Sequence, residues 1–311
     1  MIPTYSEGRG RLWRAVRVPA EAAILAAGAA TATWRRPPDF LIIGGRRCGS
    51  TSLYYGLLQH PAVLPLVLSA GWLPLQQHRK GTRWLDRPRP GGRWYRGHFP
   101  TDLTRRRTIR HAGAAVAGEA TPWYLASPGA AERAATEAPE ARLIVVLRDP
   151  VERTFSQFLE QRRRGHEPLD DFAAALDLED HRRRYGLGAD EGGPRSADFC
   201  EEHLTYRRQS EYADCLEPWL DCFGRDRLLV LEAEDLFADS CAVLASVAAF
   251  LGLPEHGFAP EHRNSARGPS TAPTAPTAPT APTEVAERLR EHFRPHNLRL
   301  QEQLGRTLSW A

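Results

Sequence analysis

Asp39 to Pro61 reads DFLIIGGRRCGSTSLYYGLLQHP, and this stretch decides the fold. It opens with an apolar run that stops at Gly44-Gly45, the pattern of a buried parallel strand feeding a tight turn. From Ser50 to Gln59, Leu53, Tyr54, Leu57 and Leu58 recur at helical spacing before Pro61 closes the segment. A strand, a glycine turn and a helix make an anion site, because the turn's N–H groups and the helix N-terminus point at one spot. The spacing Gly44-x-x-x-x-Gly49 followed by Ser50-Thr51 approaches a triphosphate-binding loop, but Ser50 stands where that loop needs lysine. The basic residues come earlier, at Arg46 and Arg47, which disfavours ATP chemistry.

Two later units repeat the pattern. Leu143 to Leu147 reads LIVVL and runs into Arg148-Asp149-Pro150, then a helix with Val151, Phe155, Phe158 and Leu159 on its inner face. Pro150 suits the first helical position, where its missing N–H costs nothing. Leu228 to Leu231 leads through Glu234-Asp235-Leu236 to a helix carrying Val243, Val247, Phe250 and Leu251. Strands alternating with helices predict an α/β fold with a central, mainly parallel sheet flanked by helices. Arg148 at a strand end and Ser156 on the following helix can both face the crevice where open α/β sheets bind ligands. Arg148 offers paired donors to a phosphate and Ser156 one more; the same residues also fit an ion pair with Asp149 or Glu152 and a polar surface position.

The remaining composition sets limits. The chain has 311 residues with 41 basic and 38 acidic side chains, a net charge of +3, and Lys80 is the one lysine among 40 arginines. Hydrophobics at 42% and charged residues at 25% exclude a disordered chain, a collagen-like fibre and a membrane bundle. So small a net charge calls for no nucleic-acid partner, and any anion site must be local. Five cysteines without a CxxC pair, and no histidine cluster at metal-ligand spacing, point to a reduced, cytoplasmic protein with no metal.

Residues 1–37 are expected to be a helical or loosely ordered lead-in, since the alanine-rich run from Ala20 to Thr33 is interrupted by Glu21. That run is too short for stable membrane insertion. Residues 38–308 are expected to form one domain, with irregular loops over a binding face between 69 and 100. Thr271 to Thr283 consists of four Thr-Ala-Pro triplets and a further threonine, an extended loop inside that domain. A closing helix over 284–304 is expected to pack back through Val285, Leu289, Phe293, Leu298 and Leu304.

The motif at 39–61 resembles the 5′-phosphosulfate loop of sulfotransferases that use 3′-phosphoadenylyl sulfate (PAPS). Arg47 then stands where that family has lysine, Arg46 lies beside it, and Cys48, Gly49, Ser50, Thr51 and Ser52 complete the loop. VVLRDPVERTFSQF resembles the family's 3′-phosphate motif, which implies that role for Arg148 and Ser156. WYRGHFP from Trp94, GEATPWYL from Gly118, SEYADCLEPWLDCF from Ser210, EDLFADS from Glu234 and FLGL from Phe250 resemble elements of heparan-sulfate-type and bacterial members. Arg267-Gly268 resembles a C-terminal basic loop that closes on the nucleotide.

The resemblance spans roughly residues 38 to 308 and implies a P-loop-like three-layer fold. It further implies sulfuryl transfer from PAPS, without metal, to a hydroxyl or amine of a small-molecule, glycolipid or carbohydrate acceptor. The nucleotide product would be 3′,5′-adenosine bisphosphate (PAP). In the carbohydrate branch the base is the Glu of a Lys-Glu-x-x-Phe-Phe element soon after His-Pro. Here the interval LPLVLSAGWLPLQQHRKG has Ser69, Ala70 and Gly71 where that acid and its neighbours are expected. The lysine of the family's GEKTP element is replaced by Ala120. Acid–base candidates are, in order, Glu119, His78 and His98. Two rival readings stand beside this one: a PAP-binding descendant without turnover, and a P-loop nucleotide kinase.

Overall fold

Five short strands pair only in parallel: β1 (Phe40–Gly44), β2 (Val63–Leu64), β3 (Val116–Ala120), β4 (Arg142–Leu147) and β5 (Leu228–Glu232), in the order β2-β3-β1-β4-β5. The structure is a computed structural model that describes residues 7–67, 80–87, 91–188, 193–260 and 280–311. Within β1 and β4 the side chains alternate between two layers. Phe40, Ile42, Ile144 and Val146 enter one apolar cluster, and Leu41, Ile43, Leu143, Val145 and Leu147 enter the other. Burial on both faces is why these strands read as unbroken apolar runs.

Helices cover both faces. The first seven are α1 (Glu7–Ala30), α2 (Ser50–Leu57), α3 (Gly92–Arg96), α4 (Asp102–Ala112), α5 (Ala130–Glu137), α6 (Pro150–Arg163) and α7 (Phe172–Asp177). They are followed by α8 (Glu179–Tyr185), α9 (Ala197–His203), α10 (Tyr212–Phe223), α11 (Ala233–Ala238), α12 (Ser240–Phe250) and α13 (Thr283–Leu304). Pro150 is at the start of α6, and the Asp149 carboxylate caps it by accepting from Val151 N and Glu152 N at 2.8 and 3.0 Å. Such a cap contributes about 1 kcal/mol.

The strands β2 and β3 were not legible in the sequence. β2 has two residues, and β3 reads VAGEA, with little branched or aromatic character. Gly118 is needed there because the Phe40 carbonyl oxygen lies 2.3 Å from where a Cβ would stand. Close contact with β1, rather than local propensity, makes β3 a strand.

Three expectations need correction. The interval between 69 and 100 contains a helix, α3, and Gly97 just after it packs against Gly28 of α1 so closely that a Cβ on Gly28 would meet the Gly97 oxygen at 2.5 Å. On α13, Leu298 is 57% exposed while Ala286, Leu289, Phe293, Leu300 and Leu304 are buried, because position 298 falls off the stripe at three- and four-residue spacing. Phe250 is only half-buried, with the Arg142 guanidinium 5.6 Å above its ring. Most of the Thr-Ala-Pro tract, 271–279, lies outside the described residues.

The central position of β1 places the site. Strands on one side of it are β3 and β2, and on the other β4 and β5. The connection from β1 runs to β2 on one side and that from the neighbouring β4 runs to β5 on the other, and the crevice of such a sheet opens at the C-terminal ends of those two strands.

Candidate active site

The turn after β1 runs from Gly45 to Gly49, and Gly45 N donates to Val146 O at 2.6 Å, tying it to the neighbouring strand. Gly49 caps α2 in the left-handed region, with φ 93°. A side chain at Gly49 would also strike Leu236 of α11 at 2.8 Å. The first N–H groups of a helix have no partner within it, and those of α2, together with Ser50, Thr51 and Ser52, make a cradle suited to an anion. Cys48 is buried in the turn, its Sγ donates to Arg46 O at 3.3 Å, and burial pushes its thiol up to about 11. It packs the loop from beneath.

Arg47 has φ 65°, a conformation that costs a non-glycine residue on the order of 1 kcal/mol or more. The guanidinium crosses to α6, where Nε donates to Ser156 Oγ at 3.1 Å and a terminal nitrogen lies 3.8 Å from a Glu160 oxygen. Burial lowers its pKa, Glu160 opposes that, and the positive charges of Arg163, Arg148 and Arg164 add to the lowering. Arg148 stands at the end of β4 and contacts Glu152 at 3.5 Å, with its guanidinium 6.0 Å over the ring of Phe237. Arg47 and Ser156, singled out from separate motifs, are thus in contact, and the charge of Arg148 is near enough to act on Arg47.

Arg46 turns the other way. It bonds the Glu202 carbonyl oxygen, lies 3.5 Å from the Glu202 carboxylate, and stands 5.6 Å from the Trp123 ring centre. Desolvation brings its pKa down to about 10, with Glu202 opposing. Glu202 is held chiefly by Arg83, through two bonds of 2.7 and 2.6 Å. The neighbouring His203 is pushed down to about 4 by burial, so its imidazole is neutral at pH 7.

The structure changes the reading of the acid–base candidates. Glu119 is fully buried, and its two oxygens accept from Thr82 N at 2.6 Å, Thr82 Oγ1 at 2.8 Å, Tyr95 OH at 2.9 Å, Thr121 Oγ1 at 2.9 Å and Tyr124 OH at 3.1 Å. Burial raises its pKa and the donors around it oppose the rise. Five donors fill a carboxylate's acceptor sites, so Glu119 is corrected from a base to an anchor holding residue 82 against β3. His98 is also buried, with Nδ1 against Trp94 O at 3.0 Å and Tyr95 O at 3.2 Å. His78, Ser69, Ala70, Gly71, Arg267 and Gly268 lie outside the described residues.

One residue missed in the sequence is Lys80. Its Nζ donates to Ser50 Oγ at 3.0 Å, directly at the start of α2, while its carbonyl accepts from Ala120 N at 2.7 Å. Of the Lys-Glu-x-x-Phe-Phe element sought around residue 70, Lys80-Gly81-Thr82-Arg83-Trp84-Leu85 keeps the lysine, with glycine in place of the acid and Trp84-Leu85 in place of the two phenylalanines. Gly81 stands at the acid's place. A Cβ there would be 2.4 Å from Thr121 Oγ1 and 2.5 Å from Ala120 O, so the backbone approach to β3 leaves no room for a side chain.

A histidine pair also escaped notice. His292 and His296, four apart on α13, and Glu211 place ligand-type atoms within 4.8 Å of one another. His292 Nε2 meets Glu211 at 2.9 Å, His296 Nδ1 meets Asp214 at 3.1 Å, and Arg299 also bonds Asp214. These contacts clasp α10 to α13. All five cysteines are free, and no helix among the described residues is long and apolar enough to cross a membrane.

Comparison with known proteins gives the chain's relatives. A family model described as the Sulfotransferase family matches residues 38–257. A bifunctional heparan sulfate N-deacetylase/N-sulfotransferase 1 from Caenorhabditis briggsae is 28% identical over 224 residues, covering 71% of this chain and 23% of that protein. Heparan sulfate glucosamine 3-O-sulfotransferase 3B1 from Mus musculus is 25% identical over 288 residues, covering 88% of this chain and 65% of its own. The chain thus spans about a quarter of the length of the first of these relatives. Among solved structures, a sulfotransferase from Alicyclobacillus acidocaldarius superposes with a TM-score of 0.58 at 26% identity, over 88% of this chain and 97% of that one.

Proposed function

The chain belongs to the sulfotransferase family, and from that premise we propose that it moves a sulfuryl group from PAPS to a hydroxyl or amine of a small-molecule, glycolipid or carbohydrate acceptor. The observation that carries this reading is the contact of Arg47 Nε with Ser156 Oγ at 3.1 Å, with the Arg148 charge acting on Arg47, which joins residues from the two motifs that resemble nucleotide-binding elements. The residues present fit such a donor. Gly49 lets the turn enter α2 in the left-handed region, and Arg47 and Arg148 are half-buried cations whose charges act on one another.

When bound, the donor supplies a sulfuryl group on a phosphate leaving group. In this reading Arg148 and Ser156 hold the 3′-phosphate by charge-assisted bonds, and the α2 N-terminus with Ser50, Thr51 and Ser52 holds the 5′ end. Arg46 and Arg47 add positive charge on either side of the turn. A bond forms between sulfur and the acceptor oxygen or nitrogen as the bond to the 5′-phosphate breaks, and the acceptor's proton passes to a base. With Glu119 and His98 committed to buried bonds, that role falls to His78. His78→Asn is expected to lower kcat and leave PAP affinity unchanged.

A second reading, a PAP-binding protein without turnover, is favoured by the filled acceptor sites of Glu119 and the glycine at position 81. Transfer of labelled sulfate from PAPS across a panel of hydroxyl and amine acceptors separates the two; a labelled product supports the enzyme and its absence across the panel supports the binder. Calorimetry with PAP against ATP and Mg²⁺ tests the nucleotide itself. A preference for ATP would support the kinase reading instead. The five free cysteines fit a reducing compartment, and we place the enzyme in the cytoplasm on that ground.

A further inference from the structure

Lys80 is the one lysine of the chain, and it is half-buried at the mouth of the anion-binding turn. Among the described residues, the hydrogen bond of its ammonium is to a neutral group, Ser50 Oγ at 3.0 Å, and no carboxylate pairs with it. Its charged neighbour is a second cation, Arg46. Other cations at the site are differently placed: Arg83 is held by Glu202, Arg46 also reaches Glu202, Arg47 is near Glu160 and Arg148 near Glu152. A buried ammonium beside a like charge is unfavourable unless an anion joins it. The backbone fixes it there, because residue 80 is bonded to Ala120 and residue 82 to Glu119.

Resting on the PAPS reading above, we propose that the Lys80 ammonium directly contacts the sulfate-bearing 5′ end of the donor. Arg47, at the customary lysine position of the turn, points across to Ser156 and Glu160. Lys80 reaches Ser50 from the opposite side and supplies a compact point charge that a planar guanidinium does not.

Proton uptake makes this measurable. Burial, then the charge of Arg46, brings Lys80 down to about 7, so much of the free protein carries a neutral amine at pH 8. An anion bound against Nζ restores the charge. Binding then takes up about 0.9 proton at pH 8 and about 0.1 at pH 6 at this residue, equivalent to an affinity loss of about tenfold between those pH values.

The test is calorimetry of PAP and PAPS binding at pH 6 and pH 8, in buffers of different ionisation enthalpy, with wild type, Lys80→Arg and Lys80→Met. Arginine stays charged, so Lys80→Arg should bind without that extra proton uptake and serves as the reference for the nucleotide's own titration. Lys80→Met should bind PAP at least tenfold more weakly at pH 6, yet bind adenosine 3′-monophosphate, which lacks the 5′ group, as wild type does. Equal proton uptake and equal PAP affinity in wild type and Lys80→Met would overturn the inference while leaving the donor reading standing. Failure of wild type to bind PAP or PAPS at all would overturn the donor reading itself.

Discussion

Arg47 Nε and Ser156 Oγ are 3.1 Å apart although 109 positions separate them in the chain. One residue belongs to the turn after β1 and the other to the helix after β4, and the two strands are neighbours. The contact therefore joins the proposed 5′ and 3′ phosphate subsites through side chains that an incoming nucleotide would find already in place. Glu160 on the same helix draws Arg47 further towards α6.

Removing either proposed 3′-phosphate ligand should weaken nucleotide binding without disturbing the sheet. Hydrogen bonds to charged groups contribute about 1.5–3 kcal/mol, so Arg148→Ala and Ser156→Ala should each reduce PAP affinity by about 10- to 100-fold. Calorimetry that finds both affinities unchanged would remove these residues from the site.

Glu119 should behave as a structural anchor. Glu119→Ala strands the hydroxyls of Tyr95, Tyr124, Thr82 and Thr121 and should destabilise the protein by about 3 kcal/mol or more. Glu119→Gln keeps the shape but replaces one acceptor by a donor, and should lower the Tm while the folded fraction keeps its kcat and pH profile. A selective loss of kcat in a normally stable Glu119→Gln protein would restore it as a base.

Lys80 should leave a mark on stability against pH. In the folded, nucleotide-free protein its pKa is about 7, against an ordinary lysine value of 10.5. Between these values the unfolded chain binds more protons, so stability contributed at this residue rises as pH climbs from about 7 towards 10.5, and the penalty is fully present below 7. Denaturant unfolding at pH 7 and pH 9 should show a smaller rise for Lys80→Met than for wild type. Identical slopes would mean that the ammonium is not buried at a cost.

Gly81 should resist restoration of the acid found at its place in the related element. Cβ positions 2.4 and 2.5 Å from Thr121 Oγ1 and Ala120 O leave no space, and overpacking of this kind costs about 1–3 kcal/mol. Gly81→Ala should therefore lower the Tm, and Gly81→Glu should lower it more without raising transfer activity. A Gly81→Ala protein as stable as wild type would show that this backbone approach is loose.

The sequence carried the local part of this structure. Apolar runs at 40–43, 143–147 and 228–231, the glycine turn, and Pro150 at a helix start each act within a few residues, so they can be read from one stretch at a time. β3 could not be read that way, because small residues become a strand there through close packing against Phe40. The charges of the site show the same division. Sequence put Arg46, Arg47, Arg148 and Ser156 at strand ends and on the next helix, but it looked for the missing acid at Ser69 to Gly71 and passed over Lys80 and Gly81. Only the tertiary structure decided that Glu119 is saturated, that Arg83 occupies Glu202, and that Lys80 faces Ser50 and Arg46 without a carboxylate partner. The reason is physical: burial and pairing set what a charged side chain does, and its partners come from segments that only the order of the strands brings together.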